Sequence, residues 1–129
     1  MKPFRSLFDP ILYTNFFFFG NAVLYLVKDY WVCGILMLIT SIFSLLYHHS
    51  FERNKALHVL DVFFAVCTLL TTFVYVISYV SVAQLALLVC ILIFALCVKH
   101  IATTLDYTYH VYWHILVFFG QFLIFYFLP

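Results

Sequence analysis

The chain has 129 residues, 67% of them hydrophobic and 9% charged, with a formal net charge of +1 at pH 7. A soluble domain is about half apolar, so this composition, with a mean hydropathy of +1.14, excludes an ordinary soluble fold and points to an all-α integral membrane protein. Near-neutral charge without a basic tract also excludes a nucleic-acid surface.

The charged residues fall mostly between long apolar runs. The segment Met1 to Pro10 carries Lys2, Arg5 and Asp9, and Pro10 suits the first turn of a helix. No small-residue cleavage site follows the first apolar run, so no cleavable signal peptide is expected. The first span is predicted from Ile11 to Val27, with Phe16 to Phe19 as lipid-facing bulk and the polar Asn15 and Asn21 turned towards other helices. Lys28-Asp29 makes a short turn. The second span is predicted from Tyr30 to Tyr47, and a polar loop follows from His48 to Ala56. The third span runs from Leu57 to Val80, an uncharged turn sits at Ser81, and the fourth runs from Val82 to Val98, closing at Lys99-His100. A second polar connection, containing Thr103, Thr104 and Asp106, leads to a fifth span from Tyr109 to Leu128. Stretches of about 17 to 24 residues suffice for a ~30 Å hydrocarbon core at 1.5 Å per residue. The four cysteines, Cys33, Cys67, Cys90 and Cys97, lie inside these runs and read as small buried hydrophobes. The pattern is one five-span helical bundle without a linker or second domain.

Five crossings place the N-terminus and both polar loops on one side. Lys2, Arg5, Arg53, Lys55 and Lys99 fall there and only Lys28 falls opposite, so five of the six basic residues mark that side as cytoplasmic. All six histidines, His48, His49, His58, His100, His110 and His114, share this side. Residues without a common role would spread over both faces, so the asymmetry argues for a shared site.

His110-Val-Tyr-Trp-His114 puts two imidazoles one turn apart on one helix face, a spacing that suits two ligands to one metal ion. Ser44 lies one turn deeper than His48 at the end of the second span. Asp61 sits about one turn inside the third, where an ionised carboxylate costs a few kcal/mol unless it meets a cation or a polar cavity. Its structural alternative is a pairing with Arg53 or Lys55. Three neutral imidazoles with an open fourth position make a zinc site of the catalytic kind. In that arrangement His48, His110 and His114 hold Zn2+, Asp61 accepts a proton from water, and Ser44 orients the water or stabilises an oxyanion. His58, three residues before Asp61, could serve as an outer partner, but His49, His58 and His100 each read most simply as plain interfacial histidines.

Ser44-x-x-x-His48, then Leu60-Asp61 early in the next span, then His110-x-x-x-His114 opening the last, resembles the CREST superfamily. That group contains the alkaline ceramidases, the progestin and adipoQ receptors, the post-GPI-attachment lipid-remodelling proteins and the myomaker-like proteins. The resemblance implies a zinc ion on His48, His110 and His114, with Asp61 and Ser44 beside it, and hydrolysis of an amide or ester bond in a membrane lipid. The family has seven spans and this chain has room for five. Losing a helix pair between the third and last spans preserves the sidedness of the motif. Bulky aromatics on five short spans also leave a place for a second copy or a partner membrane protein.

Two other readings compete. A non-catalytic membrane protein, receptor-like, fusion-type or a small subunit, would use zinc to fasten its helix ends. A di-iron hydroxylase needs about eight histidines in H-x-x-H-H boxes, which this sequence lacks, and neighbours on one helix such as His110 and His114 cannot be the two opposed axial ligands of one haem.

Overall fold

The structure is a computed structural model that describes residues 9–50, 52–105 and 109–129. Lys2, Arg5 and Asp106, which entered the charge and loop assignments above, lie outside the described residues. The chain is helical: α1 (Pro10–Val27), α2 (Trp31–His49), α3 (Lys55–Tyr79), α4 (Val82–Thr104) and α5 (His110–Phe127). All five are long and apolar enough to cross a membrane, as an integral multi-pass protein requires. Cα packing divides the chain into two compact units, Met1–Thr72 and Phe73–Pro129.

In the first unit, Asp9 caps α1 by accepting from the Ile11 N–H at 3.1 Å, and Pro10 takes the first helical position, where its missing N–H costs nothing. The turn into α2 is tight because Asp29 adopts φ 63°, a left-handed conformation usually left to glycine. Tyr30 N–H reaches Tyr25 C=O (2.9 Å) and Asp29 N–H reaches Leu26 C=O (3.1 Å), so the last carbonyls of α1 are satisfied. The two helices then approach closely at Gly34, where a Cβ would lie 2.6 Å from Leu26 Cγ and 3.1 Å from Ala22 O. Asn15 and Asn21 are buried and Phe16 and Phe17 exposed, as expected for a helix whose polar side chains avoid lipid.

Helix α3 runs back along α2. Cys33 Sγ meets Thr72 Oγ1 at 3.9 Å and Thr40 Oγ1 meets Thr68 Oγ1 at 2.9 Å. Phe43 stacks on Phe64 with centroids 5.3 Å apart, and Tyr47 lies against His58 at 4.8 Å. α3 begins at Lys55, ahead of the expected Leu57, because Asn54 Oδ1 accepts from the Ala56 and Leu57 N–H groups at 3.0 and 3.2 Å.

In the second unit, Ser81 and Gln84 form a capping box that starts α4. The helix does not stop at Val98. It runs through Lys99-His100 to Thr104, so much of the expected polar connection is helical. Nothing between Lys99 and Ala102 breaks a helix, and the chain has no reason to unwind merely because it becomes polar. The Thr103 and Thr104 hydroxyls close the end by donating to His100 C=O at 2.9 and 2.8 Å. Lys99 Nζ sits 4.9 Å from the centre of the Trp113 ring, and Gly120 faces Ile91, so α4 and α5 run antiparallel. The expectation of buried cysteines holds for Cys33 alone. Cys67 is half-buried, and Cys90 and Cys97 are exposed on α4, whose buried residues are Ala95 and Ala102. All four are free thiols.

Candidate metal centre

A stripe of residues, Met37, Ser41, Ser44 and His48, is buried along α2 at helical spacing. It carries His48, 2% exposed, to the last turn of the helix, with Ser44 one turn deeper at 8%. Ser41 is buried on the same stripe, and its hydroxyl donates to Met37 C=O at 2.7 Å, the usual fate of serine in an apolar helix.

Asp61 lies in the second turn of α3 and is half-buried. It belongs to the same face as Phe64, Thr68 and Thr72, which touch α2. Phe64 is opposite Phe43 and His58 is opposite Tyr47. Asp61, midway between Phe64 and His58, is therefore level with the turn that holds Ser44 and His48. The antiparallel register sets Asp61 between the depths of Ser44 and His48.

Helix α5 opens on His110, with His114 one turn on. Their ring centroids are 4.9 Å apart. His110 is half-buried and His114 is 4% exposed. A buried imidazole is costly unless something satisfies its nitrogens. His48 belongs to the first unit and His110 and His114 to the second, and each offers one ring nitrogen that could ligate a metal ion. Neutral imidazoles are donors that zinc prefers.

The remaining histidines have other places. His58 is exposed with its ring on Tyr47, so the outer-partner role considered for it falls elsewhere. His100 is exposed on α4 and lines a shallow apolar groove with Ile93, Leu96, Cys97 and Ile101. The residue missed from the sequence is Glu52, whose Oε1 lies 3.0 Å from His48 Nδ1. The spacing His48-x-x-x-Glu52 was the available signal, hidden because the helix ends between the two residues.

No protein-family model, curated protein or solved structure matches the chain.

Proposed function

We propose that this protein is a zinc-dependent intramembrane hydrolase acting on an amide or ester bond of a lipid, a five-span relative of the CREST superfamily. The observation that carries the reading is the pair of imidazoles one turn apart at the start of α5, with His114 buried, together with the buried His48 that closes α2. The second support is the register of α2 and α3, which sets the Asp61 carboxylate between the depths of Ser44 and His48. His48, His110 and His114 hold the ion. Zinc, when bound, supplies Lewis-acid polarisation and lowers the pKa of water at neutral pH. Asp61 takes the proton of the attacking water and returns it to the leaving group. Ser44 donates to the developing oxyanion or positions the water. The apolar helices leave the scissile bond to be presented from within the bilayer, so the substrate is a lipid. By the charge rule, the N-terminus and the histidine-bearing helix ends face the cytoplasm.

Metal content per chain, measured on detergent-purified protein, is the first test. About one zinc in the wild type, lost in His114→Ala, is expected for a three-histidine site. Asp61→Asn should keep the zinc and lose hydrolysis across a panel of ceramides, phospholipids and acylglycerols. Folded wild-type protein without metal would overturn the reading. Zinc without hydrolysis of any lipid would favour the non-catalytic, zinc-fastened alternative.

A further inference from the structure

The turn after α2 carries an unusual backbone. Glu52 adopts φ 61°, one of two described non-glycine residues with positive φ, the other being Asp29. Such a conformation is unfavourable for a residue with a Cβ and persists where the surroundings enforce it. Here the Glu52 N–H donates to Tyr47 C=O at 3.1 Å, and the Ser50 hydroxyl donates to the same carbonyl at 2.7 Å. The chain is folded back over the end of its own helix, and the carboxylate of Glu52 comes to rest on His48. The two side chains are 3% and 20% exposed, so the contact is largely shielded from water.

We infer that Glu52 is the positioning residue for His48, fixing the ring so that Nε2 is the nitrogen presented to a metal ion. An ionised carboxylate only accepts hydrogen bonds. In the neutral tautomer whose Nδ1–H donates to the carboxylate across the 3.0 Å contact, Nε2 keeps its lone pair. Carboxylate–histidine pairs of this kind orient a ligating ring and raise its donor strength. The inference rests on the zinc reading above and adds to it a residue that touches neither substrate nor ion.

Two variants test it. Glu52→Gly removes the carboxylate and suits the backbone at φ 61°, so it should fold at least as well as the wild type. Glu52→Gln keeps the shape and removes the charge. Zinc affinity, read by competition with a chelating dye, should fall about 10- to 100-fold, with Gln at the low end because its amide oxygen still accepts. Asp29→Gly, which makes the same backbone change at the opposite end of α2, should leave affinity unchanged. In zinc-free protein, nitrogen NMR of His48 should report the Nδ1–H tautomer in the wild type and a mixture in Glu52→Gly. Wild-type affinity in both Glu52 variants would overturn the role of Glu52 and leave the zinc site standing. Equal weakening in Asp29→Gly would also overturn it, by showing a general loosening of α2. A wild type that binds no zinc would remove the site itself and this inference with it.

Discussion

The α1–α2 pair and the α4–α5 pair are both hairpins of membrane-length helices, yet they bury different things. In α1 and α2, 39% and 33% of the apolar window is buried; in α4 and α5 the shares are 17% and 6%. Among the described residues, Met1–Thr72 buries eight polar side chains: Thr14, Asn15, Asn21, Ser41, Ser44, His48, Thr68 and Thr72. Phe73–Pro129 buries one, His114. Lipid is as good a solvent for Leu and Phe as a protein core is, so apolar side chains need no interior and α4 and α5 leave theirs outside. Polar groups do need one, because hydrocarbon offers them no hydrogen bonds. The first unit is therefore built like a packed hairpin with polar fastenings. In the second, His114 is the one polar residue among those described that is buried as a whole.

The largest effect should come from that histidine. If His114 is buried only as packing, His114→Leu will leave stability unchanged or raise it. As a zinc ligand, it should lose all metal-dependent stabilisation, about 4 kcal/mol where free zinc is ~1,000 times its Kd. Reversible unfolding in mixed micelles, with and without chelator, separates the two.

A smaller effect contrasts the same substitution in both hairpins. Gly34→Ala would push a methyl group against Leu26 and the Ala22 carbonyl, and should cost about 1–3 kcal/mol. Gly120→Ala meets only Ile91 Cγ2 at 3.5 Å, an ordinary contact, and should stay within about 0.5 kcal/mol. Equal costs at the two sites would erase the distinction between a tight hairpin and a loose one.

The smallest measurable term is the hydroxyl pair of α2 and α3. Thr40 donates to Leu36 C=O at 2.8 Å, so Thr68 is the donor in the 2.9 Å contact with Thr40. A double-mutant cycle of Thr40→Val and Thr68→Val should give a coupling near 0.6 kcal/mol and at most about 1.7 kcal/mol. No coupling would mean that the register of Asp61 is held by the ring contacts, Phe43–Phe64 and Tyr47–His58.

Much of the architecture was legible in advance for a simple reason. Hydropathy reports the transfer of whole segments into lipid, a sum over about twenty residues that tolerates local error. Helix ends were less legible. Val98 was taken as the end of the fourth span because Lys99 and His100 are polar, but polarity marks the membrane boundary and not the helix boundary, and α4 continues to Thr104. Asp9, Asn54 and Ser81 are capping residues that sequence reasoning could have used and did not.

The candidate site divides along the same line. Residue order alone set Ser44, His48, Asp61, His110 and His114 near the ends of their helices, since alternation across a bilayer leaves each end only two choices of side. Depth along a helix pair is different. It depends on which side chains interlock, and the Phe43–Phe64 and Tyr47–His58 contacts that bring Asp61 level with His48 are properties of the folded α2–α3 pair. The contact of Glu52 with His48 depends on a single left-handed residue that no propensity favours for glutamate, so only the tertiary structure decided it.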